Sequence, residues 1–444
     1  MAAESLPPGP SALPGIGCAL PFFRDPVGFL LQARQYGDVA YFRLGPERVF
    51  LVSDPELIRD VLVVHHRTFR KGRGLERARR ILGDGLLTSE GDFHLRQRRL
   101  AQPAFHRERI AAYAAVMVEY AARHCERWEP GATIDLDREL SALTMTIVGK
   151  VLFDADLEAE APAIGQAVTT FLDLYWTDTL PLPWLLQRLP LPHVRRFRRA
   201  RRLVDATIFQ MIESRRGTPD RGDLLSMLLQ ARDLEGDGTG MTDHQVRDEL
   251  VTVFLAGHET TAIALTWTFC LLAQYPEAEA KLRAEVSGVL GNRPATFEDV
   301  PRLEYTRRVF AEAMRLYPPV WSIARRAVGP YQLGRYPVPA GSLLFMSQYL
   351  MHRDGRFFPD PERFDPERWG PEAEAGRPRF SYFPFGGGSR QCLGESFAWM
   401  EGVLLLATVT QRWRLRLSPG HRVELKASMT LRPRYGMRML LESR

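Results

Sequence analysis

One cysteine in this chain sits in a setting that suits a metal ligand. The stretch from Phe380 to Glu401 centres on Phe385-x-x-Gly388-x-Arg390-x-Cys392-x-Gly394, with Gly386, Gly387 and Gly388 in a row. Three consecutive glycines fit neither a helix nor a packed strand, but they let the backbone come close to a flat ligand. An apolar run from Phe397 to Leu406 follows and predicts a helix with Cys392 at or just before its N-terminus. The unpaired N–H groups there favour the thiolate. The plain alternative is a small buried cysteine after a glycine turn.

A second string, Ala256-Gly257-His258-Glu259-Thr260-Thr261, falls midway in a long apolar periodic segment. Glycine is a poor interior helix residue, and threonine bonds back to the carbonyl four residues earlier. Together they invite a notch, with a hydroxyl and a carboxylate beside it for proton delivery. The alternative is a helix that merely packs, with glycine at a crossing. Glu312-x-x-Arg315 places opposite charges on one helix face, a spacing that is common on exposed helices.

These motifs stand in an ordinary globular frame. The chain has 444 residues, 45% hydrophobic and 25% charged, with no apolar run near the ~20 residues of a membrane span. Residues 1–20, with Pro7, Pro8, Pro10 and Pro14, read as an extended leader without a signal-peptide core, so a cytoplasmic protein is expected. Cys18, Cys125, Cys270 and Cys392 show no zinc or redox-pair spacing. Net charge is +6, and residues 70–109 alone hold eleven Arg/Lys against five Asp/Glu. That segment is either a solvated face or a docking surface for an acidic partner; a nucleic acid is not expected.

Asp25-Pro26 and Asp54-Pro55 predict helix starts, and Val39–Leu44 with Arg48–Val52 a hairpin around Gly45-Pro46. Residues 71–91 read as loop with one short helix. Helical spacing marks Arg107–Trp128, Asp137–Phe153, Ala161–Tyr175 and His193–Arg216. Leu180–Pro192 reads as a proline-broken link, and six arginines between Arg195 and Arg202 form a solvated face or one resting on a membrane surface. A long helix is expected from Thr242-Asp243 to Gln274, then helices Pro276–Leu290 and Leu303–Leu316. Short strands follow at Arg325–Val328, Tyr331–Leu333 and Ser342–Gln348. Residues 358–378 carry little regular structure. A helix to Trp413 and a terminal hairpin (Leu415–Leu417, Val423–Thr430, Arg438–Leu441) complete a mainly α chain with a minor β portion, read as a leader, 1–20, and one catalytic domain, 21–444.

The cysteine string resembles the haem-ligand loop of the cytochrome P-450 family position for position. The Ala256–Thr261 string resembles the family's oxygen-activation motif, and Glu312-x-x-Arg315 with Pro361-Glu362-Arg363-Phe364 resembles its buried ion-pair lock. The resemblance implies a helix-rich prism with a long central helix over haem and small β-sheets. Cys392 would be the axial iron ligand, with Phe385, Gly386, Ala256 and Gly257 against the haem and amides of the glycine loop on the sulfur. Thr260 would hold the iron-bound oxygen, and Glu259 would join the proton relay. His94, Arg98, Arg325 and Arg390 would hold the propionates; Arg96 and Arg99 compete with Arg98, and Arg326 with Arg325. Glu312, Arg315 and Arg363 would be structural.

The implied activity is monooxygenation of an apolar substrate (a terpenoid, fatty acyl chain or carotenoid) on haem b. Apolar residues at family pocket positions carry the substrate class: Leu82, Leu86, Leu87, Phe254, Leu255, Val320, Trp321, Ile323 and Met429. Electrons would come from NAD(P)H through a separate ferredoxin or flavodoxin and its reductase, to a monomer without a transmembrane segment. Arg96, Arg99 and Arg107 are the candidate docking residues. A haem-thiolate peroxygenase or isomerase, and a non-catalytic haem sensor, are the alternatives.

Overall fold

The computed structural model describes residues 6–154 and 192–443. The expected helix Ala161–Tyr175 and the link up to residue 191 lie outside them. The chain divides into two compact units, residues 1–73 with 311–392, and residues 74–310 with 393–444.

The first unit is built on a sheet. Helices α1 (Ala19–Arg24) and α2 (Pro26–Arg34) lead into strands β1 (Val39–Leu44) and β2 (Glu47–Val52), followed by α3 (Pro55–Arg59) and a π-helical turn at Asp60–Val64. Local chemistry sets these starts: Asp25 accepts the Gly28 N–H and Asp54 the Leu57 N–H, each with proline in the first turn. The proline-rich leader lies along β1, where the Tyr41 N–H donates to the Pro8 carbonyl and the Cys18 N–H to that of Arg43.

Strands β3 (Phe69–Lys71), β5 (Ile323–Ala327) and β8 (Leu343–Met346) complete a five-stranded sheet of order β1-β2-β8-β5-β3, in which only the β2–β8 pairing is parallel. Strands β6 (Tyr331–Leu333) and β7 (Tyr336–Val338) form a separate hairpin. Phe50, Phe69, Leu344 and Met346 pack with Phe380 and Phe383 in one core, so the approach to the cysteine loop is anchored by apolar burial.

The second unit is helical. It holds α4 (Arg73–Leu82) from its second residue on, α5 (Gly91–Ala101), α6 (Arg107–Glu126), α7 (Leu136–Phe153), α8 (Pro192–Arg215), α9 (Leu224–Gln230), α10 (Asp243–Gln274) and α11 (Pro276–Leu290). Helix α12 (Glu304–Leu316) follows; α13 (Gln348–Met351) and α14 (Pro371–Glu374) belong to the first unit, and α15 (Glu395–Arg412) to the second. Helix α10 organises this unit. Thr242 and Gln245 cap it reciprocally, and Pro276 follows its end. Residues 261–272 are buried on every side, as a core helix requires. Among the described residues α10 is the one helix long and apolar enough to cross a membrane, and 72% of its most apolar window is buried inside the fold.

The C-terminal strands depart from the expected hairpin. Strand β9 (Trp413–Leu417) pairs with β12 (Arg438–Ser443), which also pairs with β4 (Thr133–Asp135). Between them β10 (Leu425–Ala427) and β11 (Leu431–Pro433) form their own hairpin. The expected strand Val423–Thr430 stops at Ala427 because Ser428 turns and donates its N–H to the Thr430 carbonyl.

Candidate active site

In the first unit, the cysteine loop is closed by three backbone bonds. The Gly386 N–H donates to the Phe383 carbonyl, the Gln391 N–H to that of Gly388, and the Cys392 N–H to that of Phe385. The Gly386 amide is thus spent on a turn. Gly388 has φ +71°, and a Cβ there would stand 2.0 Å from the Leu62 carbonyl oxygen of the π-helical turn; only glycine fits. Cys392 is exposed, whereas Cys18, Cys125 and Cys270 are buried. Burial pushes the thiols of Cys125 and Cys270 up to about 12, which leaves them inert as nucleophiles or ligands. Helix α15 begins three residues after Cys392, with Gly394 as its cap.

Glu312 and Arg315 are fully buried. The Arg315 guanidinium donates to both Glu312 carboxylate oxygens at 2.8 Å and to the carbonyls of His352, Pro361 and Arg363. Glu312 also accepts from the Asp365 N–H and from Trp369 Nε1. The second guanidinium near it is that of Arg368, at 3.4 Å. This corrects the assignment of Arg363, whose side chain is exposed and which contributes only its carbonyl. Two Pro-Glu-Arg-aromatic strings lie five residues apart, and the second, Pro366-Glu367-Arg368-Trp369, backs onto α12.

The lock reaches the cysteine loop through His352. Burial and the Arg315 and Arg353 charges hold this histidine well below the usual range, so it is neutral and its Nε2 accepts the Phe383 N–H at 3.0 Å. The Tyr382 hydroxyl donates to the Ala311 carbonyl, and its ring lies 4.4 Å from that of Trp369.

Strand β5 separates the two candidate propionate arginines. Ile323 lies 3.3 Å from where a Gly386 Cβ would be, and Arg325, two residues on and 7% exposed, shares that face. Arg326 points the other way, where burial and the Arg73 and Arg70 charges lower its pKa and Glu47 raises it. Arg390 donates to the Phe69 carbonyl at 3.1 Å.

In the second unit His94 is buried on α5, and Arg98 is half-buried one turn on. Their competitors are engaged elsewhere. Arg96 donates to Thr239 and the Gly240 carbonyl, and Arg99 is bidentate to the buried Asp233. These two candidate docking arginines therefore brace the 232–240 loop, while Arg107 is exposed over the Phe297 ring.

Helix α10 continues through its motif without a break. Ala256 is exposed and Thr260, one turn on, half-exposed on a helix whose His258, Glu259 and Thr261 are buried. Thr260 Oγ1 donates to the Ala256 carbonyl at 2.7 Å. Gly257, expected at the cofactor, is instead a crossing glycine: a Cβ there would lie 3.2 Å from Val148 of α7. The Glu259 carboxylate is 5% exposed and accepts from Thr430 Oγ1 and Arg432 Nη2 at 2.7 and 2.6 Å.

Sequence reasoning missed Arg368, His352, Thr430, Arg432 and the buried Glu401. Only Glu401 had a local signal, a charge within the run Phe397–Leu406. The cysteine loop fits an iron porphyrin: an exposed thiol on a glycine cradle, with a buried arginine on the strand face that meets the cradle.

The profile of the cytochrome P450 family matches residues 7–440. The chain is 42% identical over 426 residues to cyclooctatin synthase of Streptomyces melanosporofaciens, covering 95% of this chain and 92% of that protein. It is 40% identical over 413 residues to cyclooctat-9-en-7-ol 5-monooxygenase of the same organism, covering 93% and 90%. It is 36% identical over 438 residues to pentalenene oxygenase of Streptomyces avermitilis, covering 98% and 97%. The structure of retinoic acid-bound cyanobacterial CYP120A1 superposes with a TM-score of 0.89 at 28% identity, covering 99% of this chain and all of that one. The chain belongs to the cytochrome P450 family and is a haem b monooxygenase that draws its electrons from NAD(P)H through redox partners.

Proposed function

We propose that this monooxygenase oxidises a cyclic, apolar terpenoid, with Cys392 as the iron ligand. Bound haem supplies the centre at which dioxygen is reductively activated, so that one oxygen atom enters a C–H or C=C bond and the other leaves as water. The chain's own residues hold and serve that centre. Gly386 and Gly388 let the loop approach it and Phe385 covers the sulfur side. His94, Arg98, Arg325 and Arg390 neutralise the propionates. The Thr260 hydroxyl orients the proton donor, and Glu259 supplies the proton.

One observation carries the reading: Ala256 and Thr260 share a half-open face one turn apart on a core helix, with an acid at the intervening position 259. The substrate class is supported by relatives named for pentalenene and cyclooctat-9-en-7-ol, and by the buried or half-buried apolar residues Leu82, Leu86, Leu87, Phe254, Leu255 and Met429. Residues 21–444 act as one catalytic domain behind the leader.

The redox partner is an acidic ferredoxin or a flavodoxin with its reductase, docking on the basic segment 70–109, where Arg70 and Arg107 are exposed. The protein works as a cytoplasmic monomer. Optical titration of the ferric protein against cyclic terpenoids, fatty acids and polar anions tests the substrate class. A spectral shift with cyclic terpenoids is expected; a response confined to polar or anionic compounds would overturn it.

A further inference from the structure

Two adjacent acids of α10, Asp248 and Glu249, hold the loop that follows α4. The Asp84 N–H donates to Asp248 Oδ2 at 2.7 Å and the Leu86 N–H to Glu249 Oε2 at 3.0 Å. Glu249 is fully buried, and its other oxygen accepts from Gln97 Nε2 of α5 at 3.0 Å. The buried Arg247 joins the same group, donating to Asp248 Oδ1, to Asp205 of α8 and to the Leu82 carbonyl. The loop sits directly on the helix. A Cβ on the buried Gly85 would meet Thr252 Oγ1 and the Asp248 carbonyl, and the Thr88 hydroxyl closes the turn by donating to the Gly83 carbonyl at 2.6 Å.

The place of this tether on α10 gives it a consequence. Glu249, Ala256 and Thr260 follow at i, i+7 and i+11 of one helix, which puts them within about 20° of a single line along it. The loop covers that line at Glu249. About 10 Å further along the axis, Ala256 is exposed and Thr260 half-exposed. Leu86 and Leu87 are half-buried, and the backbone bond of Leu86 to Glu249 fixes them beside the same face. A loop bonded to a rigid helix keeps the sub-ångström placement on which substrate positioning depends.

We propose that Glu249 is a positioning residue for substrate selection. Its carboxylate sets where the Leu86–Leu87 segment stands over α10, and so how large a molecule fits against Ala256 and Thr260. This rests on the reading of these leucines as substrate-facing. Asp248 and Arg247 hold the preceding turn and the Leu82 end of the loop against α10 and α8. Glu249 acts through Leu86, without contact to the substrate.

Amide hydrogen exchange in the substrate-free haem protein reads the tether directly. The Leu86 N–H is expected to exchange at least about tenfold faster in Glu249→Leu than in the parent. Glu249→Gln keeps an acceptor oxygen for it and is expected to retain the protection. Optical titration of the ferric protein with limonene and with cedrol, a smaller and a larger cyclic terpenoid, reads the selection. The affinity ratio is expected to shift about tenfold towards cedrol in Glu249→Leu, to shift the same way in Leu86→Ala, and to move no further in the double variant. A role in stability alone would weaken both ligands alike and leave the ratio unchanged. Should Glu249→Leu not retain haem, Gly85→Ala displaces the loop with both carboxylates in place and is expected to give the same shift. Unchanged Leu86 exchange in Glu249→Leu, an unchanged ratio, or additive shifts in the double variant would overturn the proposal. No response of the parent protein to either terpenoid would instead count against the terpenoid reading; the ratio is then read with lauric and palmitic acid, and the exchange arm still decides the tether.

Discussion

Two arginines, Arg315 and Arg368, approach Glu312, Arg363 does not, and the structure ranks all three. Arg315 uses all five of its N–H donors: Nε and Nη2 on the carboxylate, Nη1 on the His352 and Pro361 carbonyls, and Nη2 again on the Arg363 carbonyl. Both side chains are fully buried. Arg315→Met strands a buried carboxylate and three carbonyls, a loss of about 3–5 kcal/mol, against a total stability of about 5–15 kcal/mol.

Arg368→Met removes one contact of 3.4 Å to Glu312 and the Nη2 bond to the Asp360 carbonyl, while Arg315, the Asp365 N–H and Trp369 Nε1 still serve the carboxylate, so about 1–2 kcal/mol is expected. Arg363→Ala leaves its carbonyl in place and removes an exposed side chain, for about 0.5 kcal/mol or less. Urea unfolding followed by tryptophan fluorescence, with haem content per chain, measures the order. Arg363→Ala as damaging as Arg368→Met, or Arg315→Met no worse than Arg368→Met, would overturn this ranking.

Two further substitutions probe the cysteine loop and the helix that follows it, with a third, Gly15→Ala, as a control. Gly388→Ala must displace the Leu62 carbonyl 2.0 Å away as well as adopt a positive φ, so loss of haem retention and a few kcal/mol, roughly, are expected. Gly15→Ala, with a similar φ but open space, should cost only about 1 kcal/mol; equal effects on thermal unfolding would contradict the packing argument. Glu401 on α15 is fully buried, both its oxygens lack hydrogen-bond partners, and burial raises it to about 8 against the opposing pull of Thr261. Its folded pKa lies above the unfolded value of about 4.3, so the native state holds the extra proton and stability falls as pH climbs from there to about 8. Glu401→Gln should therefore gain stability over the parent at pH 9 relative to pH 5, by up to about 4 kcal/mol from ~1.4 kcal/mol per pKa unit; a difference independent of pH would exclude the buried acid.

Local signals carried the elements well. Asp25, Asp54 and Thr242 each accept the N–H that their capping role requires, because a cap is decided within three residues. The β1-β2-β8-β5-β3 order was not legible, since β8 inserts beside β2 from almost three hundred residues away. The same distance limit explains the misplaced site residues. Nothing local shows that Arg363 faces solvent while Arg368 faces Glu312, that Gly257 meets Val148, or that Arg96 and Arg99 brace the 232–240 loop. The contact of Glu259 with Thr430 and Arg432 joins two elements remote in sequence. Strand alternation does choose Arg325 over Arg326, but only once β5 is placed beside Gly386.

The claim on which the chemistry depends is that the exposed sulfur of Cys392 binds the haem iron. The carbon monoxide difference spectrum of the reduced protein measures this directly, in the parent and in Cys392→Ser. The long-wavelength Soret band of a thiolate-ligated haem is expected in the parent and its loss in the variant; the same band in both proteins would exclude Cys392 as the iron ligand.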